Sequence, residues 1–320
     1  MEADPPSGFP RGTVFEVNRI WSTLLNHVVR LRVVPPSRAS HLFIKIPRPG
    51  DGLDEEYTRT RDLYQVLADS SPRFSCVEPL AYYHSPEALV VSECTGCSLQ
   101  EMIDASCRWL AVRPMRDTLL AVEAAGAWLA HLERISVGAQ PADEVWQVLR
   151  EDRACAVANL RRAGSFERDA LLIERCVRDI EDAAGRGDAE PIYLAHGDFH
   201  AGNLFIAPGD PMPVSVIDCR LSRPRFVGFD ALLLEHHLRM SFRQYRPWAI
   251  RSVLRSFHNG YGRRLDPRSG AVKSMRALFV LNSLVYVATL AAGGSIRAHL
   301  GAAVDRRRLA GMMVRRLLTP

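Results

Sequence analysis

The stretch His196-Gly197-Asp198-Phe199-His200-Ala201-Gly202-Asn203, together with the run Val214-Ser215-Val216-Ile217-Asp218, constrains this chain more than any other feature. A short apolar run, 192–195, leads into the first segment, and Leu204-Phe205-Ile206 follows it. A turn rich in Pro and Gly, 207–213, separates the two segments. Apolar and β-branched runs on either side of such a turn read as loop, strand, hairpin turn, strand and terminal acid. The hairpin brings Asp198, Asn203 and Asp218 to one small volume. Oxygen-bearing side chains of this kind suit a hard divalent cation, and a carboxylate among them suits orienting a hydroxyl.

Phosphoryl transfer needs little more than these groups, because it rests on positioning and charge. Asp198 precedes Asn203 by five positions, the spacing of Asp and Asn in a kinase catalytic loop, and Asp218 stands where a second metal-binding Asp stands. His-Gly-Asp-x-x-x-x-Asn followed by Ile-Asp resembles the aminoglycoside phosphotransferase and choline kinase group of kinase-like enzymes. The resemblance implies an α+β, two-lobed protein-kinase-like fold with a small antiparallel-sheet N-lobe and a mainly helical C-lobe. It implies an ATP- and Mg²⁺-dependent transfer of the γ-phosphoryl group to a hydroxyl of a small molecule. Asp198 would be the catalytic base, and Asn203 and Asp218 the metal ligands. His196 and His200 would shape the loop. The shorter string Gly-Asp-x-His-x-Gly-Asn also resembles the metallophosphoesterases. Their two metals need further ligands after later strands, and His236, His237, His258 and His299 sit in no such setting.

Thr13–Ile20 and Asn26–Val34 read as strands, with Val29, Leu31 and Val33 alternating with Arg30 and Arg32 in the second. A Pro-Pro-Ser turn, 35–37, leads to His41–Ile46. There Leu42, Ile44 and Ile46 share one face, and Phe43 and Lys45 the other. Lys45 is one of only two lysines in the chain, the other being Lys273. Pro47, Pro49, Gly50 and Gly52 end the strand, and a helix follows from Leu53 to Ala68. Within the resemblance, Lys45 binds the nonreacting phosphates and an acid of this helix holds it. Glu55 and Glu56 are the candidates; Glu56 shares a face with Thr60 and Leu63 and is preferred. Phe43 would lie against adenine, its other reading being a packing residue of the lobe. The segment 19–24 has no glycine, so a phosphate contact there falls to Ser22 or Thr23. Ala88–Glu93, then Cys94-Thr95-Gly96-Cys97-Ser98-Leu99, resembles the inter-lobe linker. Adenine would bond main chain near Glu93, Cys94 and Thr95. Three parts are therefore expected: a loose tail over 1–12, a nucleotide-binding lobe over 13–95, and a catalytic and substrate-binding lobe over 96–320.

Beyond the linker the pattern turns helical. Leu119, Val122, Gly126, Leu129 and Leu132 recur at helical spacing, as do Leu172, Cys176 and Ile180 ahead of a stop signal at Gly185. Phe229-Asp230-Ala231-Leu232 resembles the family's Gly-x-Asp-Leu-Ala helix start, where Asp230 would cap the helix or hold the catalytic loop. Residues 277–296 carry no charge. That is nearly the length of a membrane span, but its polar and glycine residues favour a buried helix. Residues 1–12 are polar and rich in Pro and Gly, unlike a secretory signal, so a cytoplasmic protein with free thiols is expected. Cys94, Cys97 and Cys107 could suggest zinc but lack a fourth ligand at suitable spacing.

Charge bears on the acceptor. Residues 221–320 hold 18 Lys and Arg against 4 Asp and Glu, whereas the remainder holds 23 against 32. A basic part of this kind could attract an anionic substrate, a lipid headgroup or nucleic acid; solvated helix faces in an arginine-rich chain are the favoured reading, and no nucleic-acid partner is expected. Acceptors compatible with the resemblance span sugars, glycosides, aminoglycosides and amino alcohols. Residues 240–320 offer only Asp266 and Asp305, which disfavours a polycation unless acids of 97–195, such as Asp104, Glu123 and Glu133, line the cleft. A neutral or anionic hydroxylated acceptor is therefore expected. The alternative is a catalytically silent, kinase-like nucleotide-binding protein.

Overall fold

The computed structural model describes residues 13–22, 26–34, 40–48, 52–107, 112–138, 141–164, 167, 169–186, 191–219, 222–245 and 247–292. The tail over 1–12, Thr23, the turn over 35–37, His299 and Asp305 lie outside the described residues.

In chain order the elements begin with β1 (Val14–Ser22), β2 (Asn26–Val34), β3 (His41–Pro47), α1 (Asp54–Ala68), β4 (Phe74–Cys76), β5 (Pro79–His84) and β6 (Glu87–Ser92). Next come β7 (Cys97–Ser98), α2 (Leu99–Ser106), α3 (Val112–Ser136), α4 (Ala142–Arg162), α5 (Ala170–Arg186) and β8 (Ile192–Ala195). The described part ends with β9 (Leu204–Ile206), β10 (Val214–Val216), β11 (Arg223–Phe226), α6 (Phe229–Tyr245), α7 (Ile250–Tyr261) and α8 (Gly270–Ala292).

Five strands form a sheet in the order β1-β2-β3-β6-β5, antiparallel throughout. Its central strand β3 sends alternate residues to opposite faces, as the pleat requires. Leu42 and Ile44 join Val33 and Val90 on one side. Phe43 joins Leu53, Val77, Leu89 and Val91 on the other. Helix α1 opens with Asp54, Glu55 and Glu56, whose charges complement the helix N-terminus. It buries Glu56, Thr60, Leu63 and Leu67 on one face.

A second, four-stranded sheet in the order β4-β10-β9-β7 carries the hairpin. Val214 pairs with Ile206 and Val216 with Leu204 across it. On one side β4 runs parallel to β10, and on the other Cys97 pairs with Ile206. The linker approaches so closely that a Cβ on Gly96 would lie 2.0 Å from the carbonyl oxygen of Ile206. Gly96 also has φ +95, which glycine alone adopts without strain. Ser98 and Glu101 then form a capping box that starts α2.

The chain divides into two compact units: Met1–Ser136 with Leu194–Arg223 and Leu233–Arg263, and Val137–Tyr193 with Pro224–Leu232 and Arg264–Pro320. In the first, α3 packs along α7. Trp128 of α3 stacks on Phe199 with centroids 5.1 Å apart and donates from Nε1 to the carbonyl of Ser75. In the second, α8 packs against α4 and α5. Trp146 meets Phe226 edge-on at 4.9 Å, and Arg225 pairs with Asp152 at 2.6 Å. Leu172, Cys176 and Ile180 lie on α5, which spans Ala170–Arg186 and so closes within one residue of Gly185. The stretch Gly270–Thr289 of α8 is long and apolar enough to cross a membrane, and 67% of its most apolar window is buried within the fold.

Candidate active site

β3 carries Lys45 on the same face as Phe43, and α1 carries Glu56 from its first turn. Lys45 Nζ donates to Glu56 Oε1 at 2.5 Å and also pairs with Asp218 Oδ1. The Glu56 side chain is 4% exposed and that of Lys45 14%, whereas that of Asp218 is 42% exposed. Burial disfavours the Lys45 ammonium, yet the charges of Asp218 and Glu56 outweigh it and hold the pKa above the ordinary lysine value. Burial likewise opposes the Asp218 carboxylate, and Lys45, with His196 and His200 adding to it, holds that pKa below the ordinary range. Glu55 pairs instead with Arg59, four residues on.

Asp218 follows β10 directly and has φ 61, a left-handed conformation rare outside glycine. The fold holds it there through its neighbours. The amide of Ile217 donates to the carbonyl of Asn203 at 3.0 Å. The carbonyl of Ile217 accepts from His196 Nε2 at 2.8 Å. His196 is fully buried, and its Nδ1 accepts from the amide of Asp198 at 3.3 Å.

The catalytic-loop residues are tied to each other as well. Asn203 Nδ2 donates to the carbonyl of Asp198 at 3.0 Å and to its Oδ2 at 3.1 Å. With its amide protons engaged, Asn203 presents Oδ1 as its remaining polar atom. The strand leading into the loop is anchored through Tyr193, whose hydroxyl donates to Asp230 Oδ2 at 2.8 Å and accepts from the Asp230 amide at 3.1 Å.

Of the other residues read from the sequence, Phe43 is partly buried, with Trp21 edge-on at 6.0 Å and the guanidinium of Arg30 6.0 Å from its ring. Trp21 was not among the residues the sequence singled out. It sits opposite Val28 across the β1–β2 ladder, and that register is invisible in composition. Ser22 Oγ lies 2.8 Å from His27 Nδ1. The Glu93 carboxylate pairs with Arg30 at 2.5 Å and lies 3.0 Å from His41 Nδ1. Cys94 is half-buried and Thr95 exposed. Among the described residues no group of three or more His, Cys, Asp and Glu side chains is placed to hold a metal. Asn203 and Asp218 make a smaller set of hard oxygen donors. Mg²⁺ sites built on one or two protein oxygens, completed by water and substrate phosphate, have that character.

The fold is protein-kinase-like. It is similar to an ethanolamine kinase from Plasmodium vivax, 12% identical with a TM-score of 0.58, covering 93% of this chain and 81% of that one. It is similar to an aminoglycoside phosphotransferase, APH(3'')-Id from Streptomyces rimosus, solved with ADP and streptomycin: 18% identical, TM-score 0.54, covering 79% and 90%. A choline kinase from Cryptosporidium parvum is 11% identical with a TM-score of 0.52, covering 96% and 92%. The model of the phosphotransferase enzyme family APH matches residues 16–270, and the chain belongs to that family. No curated protein matches it in a sequence search. Family membership sets aside the metallophosphoesterase reading.

Proposed function

We propose that this chain is an ATP- and Mg²⁺-dependent O-phosphotransferase acting on a hydroxyl of a small molecule, with residues 13–95 as the nucleotide-binding lobe and 96–320 as the catalytic and substrate-binding lobe. One observation carries the reading: Lys45 is held between Glu56 and Asp218, while Asp198 and Asn203 are locked together at the same hairpin. Asp198 orients the acceptor hydroxyl and takes its proton as the new O–P bond forms and the bond from the γ-phosphorus to the β,γ-bridging oxygen breaks, ADP being the leaving group. Lys45, fixed by Glu56, neutralises phosphate oxygens that do not react. Asn203 Oδ1 and the half-exposed Asp218 carboxylate would hold Mg²⁺, which when bound neutralises charge on the phosphates. Phe43 would pack beside adenine, main chain at Glu93, Cys94 and Thr95 would bond it, and Ser22 would approach phosphate. The ADP bound to the Streptomyces relative supports the nucleotide part of this reading.

The acids after Asp218, and Glu133 before it, bear on the acceptor. Asp230 is engaged by Tyr193. Glu235 takes Arg239 at 2.7 Å and 2.9 Å, and Asp266 accepts from the amide of Arg268. Glu133 is buried and accepts from the Tyr261 hydroxyl. Carboxylates already engaged in this way are poor partners for a polycation, so a neutral or anionic hydroxylated acceptor fits better.

The test is Mg²⁺-dependent ATP consumption over a panel of hydroxylated metabolites, with Asp198→Asn and Asp218→Ala beside wild type. Asp198→Asn should abolish turnover and spare Mg·ATP binding measured by calorimetry, whereas Asp218→Ala should weaken the binding itself. Absence of consumption with intact nucleotide binding would favour the silent, kinase-like binding protein.

A further inference from the structure

We infer that His200 is a positioning residue for Asp198, and that together with Asn203 it restrains Oδ2 and so assigns proton acceptance to Oδ1. The inference rests on the proposed role of Asp198 as base. His200 starts the short 3-10 turn Ala201–Asn203, and its Nδ1 accepts from the amide of Gly202 at 3.0 Å. A ring nitrogen that accepts carries no proton, so in the neutral ring the proton is at Nε2. Nε2 lies 3.7 Å from Asp198 Oδ2. Oδ2 is the oxygen that already accepts from Asn203 Nδ2 at 3.1 Å. No described residue donates a hydrogen bond to Oδ1.

Two neighbours fix the ring. A Cβ on Gly202 would lie 2.9 Å from His200 Cε1, so this position needs glycine for the imidazole to lie where it does. From α6, the ring of His237 lies 5.2 Å from that of His200, tilted by 31°. The 3.7 Å separation is longer than a hydrogen bond, and contacts of this kind tighten once substrate is bound. A carboxylate restrained on one oxygen presents the other in one direction. That orientation is what a base needs toward a hydroxyl within hydrogen-bond reach.

Two substitutions separate the functions of the ring. Asn at 200 keeps an acceptor near Nδ1 for the Gly202 amide and removes Nε2. Gln at 200 reaches the Nε2 position with a donor and gives up the turn. The probe is the basal hydrolysis of Mg·ATP, water being the acceptor, followed as ADP release, with ¹⁵N-imidazole NMR of the full chain as a readout independent of turnover. NMR should show the Nε2–H tautomer for His200 and a shift of its Nε2 resonance in Asp198→Asn. His200→Asn should lower kcat on the order of tenfold, with the KM for ATP and the melting temperature unchanged. His200→Gln should recover part of that rate while melting lower. An Nδ1–H tautomer, an Nε2 resonance indifferent to Asp198→Asn, or full kcat in His200→Asn would overturn the inference. Undiminished hydrolysis in Asp198→Asn would instead break the assignment of the base. A silent Asp198→Asn beside a fully active His200→Asn breaks only the role given to His200.

Discussion

His196 donates from Nε2 to the carbonyl oxygen of Ile217 at 2.8 Å while its Nδ1 accepts from the amide of Asp198 at 3.3 Å. One buried ring thus bridges the loop that holds Asp198 and Asn203 and the residue before Asp218. His196→Ala should therefore destabilise the chain by about 1–3 kcal/mol for the stranded carbonyl, with the lost packing added. The urea midpoint should fall, and Mg·ATP affinity should fall with it because Asp218 loses its support at φ 61. Loss of stability with unchanged affinity would show that Asp218 keeps its conformation without the ring.

Lys45→Ala should lower kcat/KM by several kcal/mol of transition-state stabilisation, on the order of what one preorganised charge contributes. Lys45→Arg should not rescue it, since a planar fork does not replace a compact ammonium. Removing Lys45 also leaves Glu56 buried and uncompensated, at a cost of about 3 kcal/mol. Adding Glu56→Leu to Lys45→Met should recover stability in urea unfolding and leave turnover absent. An active Lys45→Arg enzyme would remove Lys45 from the phosphate site.

The sign of the pH dependence follows from the two shifts. Lys45 is raised, so its contribution is complete below the unfolded value near pH 10.4 and is lost as pH rises through the higher folded value. Asp218 is lowered, so its contribution is complete above about pH 4 and is lost as pH falls through the folded value below it. The stability difference between wild type and the Lys45→Met, Glu56→Leu double variant, which leaves no uncompensated glutamate to titrate, should be flat from about pH 5 to about pH 9. A slope inside that window, followed by urea midpoints, would contradict the pairing.

Two glycines should respond to alanine with opposite signs. Gly96→Ala meets the Ile206 carbonyl and an unfavourable φ, and should cost upward of about 1 kcal/mol. Gly185 lies within α5 with nothing within 4 Å of its Cβ position, and alanine there should stabilise by about 0.5–1 kcal/mol. Chemical denaturation of the two variants checks both.

The acceptor prediction is read from kinetics with aminoglycosides beside neutral sugars at two ionic strengths. Neutral or anionic acceptors should be preferred. Efficient phosphorylation of an aminoglycoside, weakening as salt rises, would move the acceptor site onto the acidic part of the chain.

The hairpin is legible in the sequence because its two apolar runs flank a Pro- and Gly-rich turn, and β9 and β10 pair across it. The period of two in β3 likewise separates Lys45 and Phe43 from Leu42 and Ile44. β4 is not legible: its three residues are too few for a pattern, and it is a strand because it pairs with β10, distant in sequence. The engagement of Glu93 by Arg30, 63 positions away, is equally hidden, because no local spacing announces it. Gly185 is legible as a stop signal to within one residue, since α5 spans Ala170–Arg186.

Lys45 and Lys273 are the only lysines in the chain, and their settings are opposite. Lys273 is exposed on α8, whereas Lys45 is clamped between two carboxylates that keep its amine protonated and poorly nucleophilic. Amine-directed reagents should therefore attach at Lys273 and the α-amino group and pass over Lys45. Such reagents thus find one reactive lysine side chain, Lys273, and leave the Glu56–Lys45–Asp218 cluster unmodified.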